Sequence, residues 1–570
     1  MIRKESSFDK YSLIAAALVF FISAGVYLIT LANGFVYDDH TQVLGNLWTT
    51  GVQYIPRIFT SSLWAYDNQA SNTYRPMMHL ILMAERHIFG LEPWGYHLVN
   101  VVLHSLNAVL VFMTAALILK ETDQLPRVFP GGARVLPFKL DSKMTGRIPA
   151  LFTGLLFALH PVNTEAVAWV SAVTELSFTC FLILSFYLYA KYAESKTKAA
   201  LPYVLSLVFF AAALLSKETA IVLPAAILAY DLSKNGWTAV KGRWRGYLGF
   251  FLTASAYMAV RTFSVGGIIH HKQISLSGYE LVINVFPLIF KYFQKLVYPS
   301  GLNALYELKY AHSASEPAVM AGMIILSAFL AAFILFRGNK VVSVSLAFMG
   351  LPLLPVLYIP ALSTSAFADR YLYLPSIGFS LLLGYAIEGG LSYARKRGGY
   401  SCWRMFKNST GPLCLVIITA PAVISTVYAA GTISRSMAWK DDLTLWADTV
   451  QKSPSSKYAH YNLALAYQNS GDIDNAVSEF KEALRFDPSY ESAHYNLAWC
   501  YQSKNDNISA VLHYREALKI NPGSADTHYN LGLIFKSEFL REDAAREFIE
   551  ALRIEPDYKE ASEMLKELSM

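Results

Sequence analysis

The fold class that the sequence predicts is all-α: a polytopic bundle of transmembrane helices followed by a water-soluble helical solenoid. Three observations predict it. Of the 570 residues, 54% are hydrophobic and only 16% charged, against about 25% charged in an ordinary soluble domain. Apolar runs such as Tyr11 to Leu31, Val99 to Leu119, Ser171 to Ala190 and Gly411 to Ala430 approach the roughly 20 residues that a helix needs to cross hydrocarbon. After Arg435 such runs stop, and a motif recurs at a spacing of 34 residues.

Loop charge orients the spans. Lys120 to Arg147 carries six Lys/Arg, and Lys191 to Lys198, Lys234 to Arg245, Arg337 to Lys340 and Arg395 to Lys407 are also basic, which marks them as cytoplasmic loops. The opposite side then takes Asn33 to Tyr96, turns at His160 and Ser216, Thr262 to Pro317, and Ala361 to Arg370. The alternation gives about eleven spans, with the N-terminus cytoplasmic and the C-terminus outside. Leu281 to Tyr298 is apolar yet carries Pro287, Lys291 and Lys295, and a crossing there would invert every later loop. It is expected to lie in the outer interface as an amphipathic or re-entrant helix; the alternative is a true span. Arg3 and Lys4 precede an apolar run longer than a signal-peptide core and without a small-residue cleavage site, so a retained first helix is expected.

In the tail, Ala459-His-Tyr-Asn-Leu463, Ala493-His-Tyr-Asn-Leu497 and Thr527-His-Tyr-Asn-Leu531 share one register with Pro454, Pro488, Pro522 and Pro556, and with Ala483-Leu484, Ala517-Leu518 and Ala551-Leu552. Small, aromatic and proline positions in this order at this period are the tetratricopeptide (TPR) signature, in which stacked helix pairs bury a shared core. The expected organisation is a membrane domain over 1–435, a linker over 436–452 and a TPR domain over 453–570, with repeats near 454–487, 488–521 and 522–555 and a capping helix to 570. From Ser453 onward there are 12 Lys+Arg against 19 Asp+Glu, a net of −7, which leaves +13 for the remainder.

That basic excess sits in short loops between apolar spans and reads as topology, so no nucleic-acid partner is expected. Cys180, Cys402, Cys414 and Cys500 form no Cys-x-x-Cys pair and have no histidine at ligand spacing, which indicates neither a disulfide framework nor a zinc site. No Gly-rich nucleotide cradle is evident.

Candidate chemistry lies on the outer side. Phe35-Val-Tyr-Asp-Asp-His40 places Asp38 and Asp39 directly after the first span, where one carboxylate could take a proton from an acceptor hydroxyl; both could equally be solvated loop residues or caps. Two adjacent carboxylates are too few ligands to argue for a divalent ion, so metal dependence stays open. Tyr74-Arg-Pro76, His160-Pro-Val-Asn-Thr-Glu-Ala-Val167, Ser216-Lys-Glu-Thr219 and Asp369-Arg-Tyr-Leu-Tyr-Leu-Pro375 fall on the same side. Ionisable groups near membrane depth are functional candidates by default. Arg75, His160, Glu165, Lys217, Glu218, Asp369 and Arg370 are the candidate donor-binding residues. Among them Lys217, Arg370 and Arg75 could hold a lipid-linked phosphate or be ion-paired or snorkelling cations.

These motifs together resemble the transmembrane and TPR-containing (TMTC) proteins, O-mannosyltransferase-like members of the GT-C glycosyltransferase superfamily. The resemblance covers nearly the whole chain: Tyr37-Asp-Asp39, His160-Pro to Glu165-Ala-Val167, Ser216-Lys-Glu218, Asp369 to Pro375, then the TPR tail. It implies a GT-C-like helix bundle, a polyprenyl-phosphate sugar donor (mannose by resemblance), an outward-facing site in the first loop, and transfer to Ser/Thr of a protein or peptide acceptor recruited by the TPRs, with Asp38 and Asp39 as the acidic pair. The competing reading is a non-catalytic, membrane-anchored TPR scaffold for envelope complexes.

Overall fold

The computed structural model describes residues 10–67, 69, 71–119, 134–135, 138–139, 147–195, 199–266, 276–358, 367–398 and 411–569. Arg3, Lys4 and most of the basic loops 120–147 and 395–407 lie outside the described residues. Among the described residues every regular element is helical apart from one two-residue ladder, Arg134–Val135 with Phe138–Lys139. It divides into two compact units. One comprises Met1–Ala304 with Leu308–Lys440, the other Leu305–Glu307 with Asp441–Met570.

Among the described residues of the first unit, eight helices are long and apolar enough to cross a membrane: Lys10–Ala32, Pro93–Leu119, Val170–Glu194, Trp244–Val265, Pro317–Leu335, Lys340–Leu357, Asp369–Tyr393 and Leu415–Met437. Two shorter apolar helices, Ile148–Leu159 and Ala200–Ser216, pack among them. Eleven crossings would require these two and Leu223–Gly242 as well. The segment 281–298 folds as Gly278–Ile283 and Val285–Val297, the latter burying Leu288, Tyr292 and Leu296.

Pro93–Leu119 is the central helix, packed on Lys10–Tyr27, Ile148–Leu159 and Val173–Glu194. A buried polar stripe runs down it. Asn107 Nδ2 donates to the Leu176 carbonyl at 2.9 Å and to the Tyr373 hydroxyl at 3.1 Å, and the His104 ring lies 2.8 Å from that hydroxyl and 2.9 Å from the Ala158 carbonyl. Asn100 Nδ2 donates to the carbonyls of Val167 and Trp169 at 3.3 and 2.9 Å. Buried polar groups generally find partners, and those of Asn100 are carbonyls of the irregular backbone at 167–169, next to the candidate site.

Three helix interruptions shape that backbone. His160 is extended (ψ 121°), as a residue before proline should be, and is followed by a 3-10 turn, the short helix Thr164–Ala168 and a second break at Trp169. Lys217 is extended (ψ 132°) before the turn Glu218–Val222, and Ala368 (ψ 145°) before the turn Asp369–Leu372. The His160–Glu165 and Lys217–Glu218 motifs therefore sit where a helix stops and restarts, and Asp369–Arg370 where one starts, with backbone groups freed from the helical ladder.

In the second unit three helix pairs, Lys457–Asn469 with Ile473–Phe486, Glu491–Ser503 with Asn507–Ile520, and Ala525–Ser537 with Arg541–Ile554, precede a last helix, Lys559–Ser569. Ala483, Ala517 and Ala551 are fully buried, where a larger side chain would overpack the pair. The turn within each pair uses one left-handed position, filled by Gly471, Asn505 and Phe539 at φ 82°, 59° and 60°; only at Phe539 does a bulky residue bear the full cost of that conformation, about 1–2 kcal/mol. The expected linker is different: 442–452 is a helix, Asp442–Lys452, capped by Asp441 Oδ1 accepting from the Thr444 N–H at 2.8 Å. It packs on Lys457–Asn469 with Leu445 and Trp446 buried, so the unit begins at Asp441 rather than 453. A lone amphipathic helix carries no repeat for the 34-residue period to reveal.

Candidate functional site

Tyr37 has φ 54°, unusual for a non-glycine residue and of the kind that gathers at functional sites. It closes a tight turn in which the Asp39 N–H donates to the Val36 carbonyl at 3.0 Å and the Val36 N–H donates to Asp39 Oδ2 at 3.1 Å. Asp39 Oδ1 accepts from the Ser171 N–H at 2.8 Å and the Ser171 hydroxyl at 2.5 Å. Asp39 is thus fully buried and held by three donors, with burial raising its pKa to about 7 against the opposing pull of the Ser171 and Val36 bonds. Asp38 is the reverse case. Its carboxylate is half-buried and makes no hydrogen bond to any described residue, and burial raises its pKa to about 6, with Arg370 opposing. The acidic pair divides into one locked carboxylate and one uncommitted one.

Around Asp38 lies the first charged group. Arg370 pairs with Glu165 through its guanidinium, and the Arg370 N–H donates to the second Glu165 oxygen at 3.0 Å. The guanidinium lies 5.3 Å from the Trp169 ring centroid and 5.1 Å from that of Tyr371, stacking that favours Arg over Lys. Tyr37 packs on Trp169 with centroids 5.7 Å apart. The second group is Lys217 paired with Glu175, and Arg75 paired with Glu218 at 3.2 Å. Lys217 also lies 5.3 Å from the Tyr371 ring, so Tyr371 stands between the two groups. A cleft beside the second is lined by Glu175, Phe178, Lys217, Thr219, Tyr371 and Leu374, with Pro352 and Val356.

The structure therefore brings together Asp38, Glu165 and Arg370, and beside them Arg75, Lys217 and Glu218. Two candidates are placed otherwise. His160 is fully buried; its Nδ1 accepts from the Val162 N–H at 3.2 Å, which leaves Nε2–H to donate to the Leu296 carbonyl at 3.0 Å, and the ring packs 4.6 Å from Tyr428. Both nitrogens are occupied, so this side chain braces the fold rather than meeting a donor. Asp369 is buried and accepts from the Asn303 N–H at 3.1 Å, tying down the loop that carries Asn303. Glu175, Ser171, Trp169 and Tyr371 were not among the sequence candidates. Glu175 had a signal, an acidic residue inside the apolar run Ser171 to Ala190; the other three are ordinary residue types whose role depends on distant partners. Among the described residues no group of three His, Cys, Asp or Glu stands ready to hold a metal ion.

Fold and site define a multi-helix membrane protein with paired charges at its helix breaks and a TPR array. The family model described as dolichyl-phosphate-mannose-protein mannosyltransferase matches residues 135–260, the stretch that carries Glu165, Glu175, Lys217 and Glu218, and tetratricopeptide-repeat models match 457–490 and 500–537. A Caenorhabditis elegans protein named "Protein O-mannosyl-transferase F38B6.6" is 26% identical over 483 residues, 81% of this chain and 61% of that protein. Human "Protein O-mannosyl-transferase TMTC1" is 23% identical over 536 residues, 83% of this chain and 55% of that protein. The chain thus spans little more than half the length of these relatives. The crystal structure of ArnT from Cupriavidus metallidurans bound to undecaprenyl phosphate superposes with a TM-score of 0.40 at 14% identity, covering 79% of this chain and 80% of that one. The resemblance to TMTC proteins read from the sequence is borne out by these relatives and by the TPR matches.

Proposed function

We propose that this protein is a GT-C-type membrane glycosyltransferase that moves mannose from a polyprenyl-phosphate donor to a Ser/Thr hydroxyl of a protein, on the non-cytoplasmic side, with the TPR array recruiting the acceptor. The carrying observation is the uncommitted Asp38 carboxylate beside Arg370, next to an Asp39 whose hydrogen bonds are all spent on structure. In the reaction the acceptor oxygen forms a bond to C1 of the sugar, Asp38 takes the hydroxyl proton, and the bond from C1 to the phosphate oxygen breaks with its electron pair leaving on the phosphate. Asp39 fixes the turn that aims Asp38. Mannose and the protein acceptor are supported by the names of the relatives.

A base works deprotonated. With the Asp38 pKa raised to about 6, kcat/KM for transfer should climb as pH rises through about 6 and level off above it, as Asp39 also titrates nearby. An ordinary carboxylate near 4 would give a profile already flat at pH 5, and that result would remove Asp38 as the base. Orientation has its own test: a reporter fused after Met570 should be active outside the cytoplasm and one after Lys396 inside it. Both on one side would break the shared-face argument.

A further inference from the structure

Among the described residues, the three cations grouped at the site already have carboxylate partners. Arg370, Lys217 and Arg75 are each matched by a glutamate, Glu165, Glu175 and Glu218, and Asp38 adds an unmatched negative charge. A sugar-phosphate diester carries about one negative charge more, and its leaving phosphate gains a second as the bond to C1 breaks. Such a group calls for a cation with no carboxylate of its own, because that cation's attraction grows as charge develops.

Lys291 meets this description. It lies on the Val285–Val297 helix, half-buried, and no hydrogen bond or carboxylate partner engages its ammonium among the described residues. Its Nζ stands 5.9 Å from the Phe367 ring centroid, and burial without a counter-charge pushes its pKa down. Its neighbour Tyr292 stacks on the same ring, centroids 4.5 Å apart, and Phe367 runs directly into Asp369 and Arg370. The helix packs against that Asp369–Leu372 turn.

The helix is also held in place. His160 Nε2–H grips the Leu296 carbonyl at 3.0 Å, and Lys295 donates to the carbonyls of Ser300 and Gly301 at 2.5 and 2.9 Å, whereas Lys291 donates to no described residue. At 100° per residue, the buried ridge Leu288, Tyr292, Leu296 has Lys291 and Lys295 along one edge and the exposed Phe293 and Val297 along the other. That is the pattern of a helix lying in a bilayer interface, with its cations at the depth of lipid phosphates.

We propose that Lys291 is the residue that binds the phosphate ester of the lipid-linked donor, presented by this interfacial helix beside the Asp38–Arg370 group. The assignment rests on the transferase reading above, which gives the phosphate its place. The three paired cations then hold the glutamates and the broken helices in position, and Lys291 receives the charge.

The test uses the purified full-length chain in phosphatidylcholine nanodiscs containing graded amounts of undecaprenyl phosphate, with bound lipid counted by native mass spectrometry. Lys291→Met keeps the apolar stem over Phe367 and removes the charge; it should need about 10-fold or more lipid for equal occupancy, in keeping with loss of a charged hydrogen bond. Lys291→Arg should bind nearly as wild type, and so should Lys309→Ala, which removes an exposed charge from the following loop. Phosphatidylglycerol should not displace the bound lipid. Wild-type binding undiminished in Lys291→Met overturns the assignment and leaves the transferase reading standing. Displacement by phosphatidylglycerol at equal mole fraction overturns it as well, since the contact is then with any anionic headgroup. Absence of binding in the wild type overturns both.

Discussion

Asp38→Asn is expected to leave the protein folded and to lower sugar transfer by about a hundred- to ten-thousand-fold, the usual contribution of a positioned base. The substitution keeps size and polarity at a half-buried side chain that hydrogen-bonds to none of the described residues, so the structural cost is small and the chemical cost large. Asp39→Asn inverts the balance. Oδ1 and Oδ2 of Asp39 together accept three hydrogen bonds, and an amide in their place turns an NH2 toward an N–H donor. Each buried donor left unsatisfied costs about 1–3 kcal/mol, and activity should fall because the turn loosens. Melting temperature separates the two: near wild type for Asp38→Asn, lowered for Asp39→Asn. Equal transfer by Asp38→Asn and wild type would place the base elsewhere.

Arg370→Ala is expected to destabilise the membrane unit, by about 3–5 kcal/mol, before any effect on donor affinity can be read. The reason is Glu165, which is 2% exposed at its side chain and relies on the guanidinium for one oxygen and on the Arg370 N–H for the other. Removing one partner of a buried pair strands the other's charge, whereas replacing both with apolar residues is far milder. Arg370→Met combined with Glu165→Leu should therefore recover much of the stability without recovering activity. Thermal melting in detergent makes the comparison. A single Arg370→Ala variant that melts like wild type but needs far more donor would show instead that Arg370 is a phosphate ligand, the role considered for it from sequence.

The legible parts were those written in local pattern. The 34-residue register of Pro454, Pro488, Pro522 and Pro556 comes from side chains that meet within a repeat or between neighbouring repeats, as His460–Glu479 and Asn496–Tyr461 do at separations of 19 and 35 residues, and the apolar runs express a solvent rather than a contact. Motif by motif, the charged residues also announced themselves, because polar groups in apolar sequence are conspicuous. The pairing of those charges was not legible. Asp38 and Asp39 are indistinguishable in sequence; Ser171, 132 residues from Asp39, decides which is locked. His160 looked like a site residue because it stands beside a helix break, and it is consumed by a carbonyl 136 residues away. Lys291 reads in sequence as an obstacle to a membrane span, and that no described carboxylate pairs with it is visible only in the folded chain, where Arg75, Lys217 and Arg370 have theirs.

The most direct measurement is incubation of the purified protein with labelled polyprenyl-phosphate mannose and Ser/Thr-containing acceptor polypeptides, with mass spectrometry of the acceptor. A hexose on a Ser or Thr hydroxyl is expected with the wild type and none above background with Asp38→Asn. A wild type that modifies no acceptor from any polyprenyl-phosphate sugar, while its TPR array captures a specific envelope protein, would contradict the account and leave the membrane-anchored scaffold in its place.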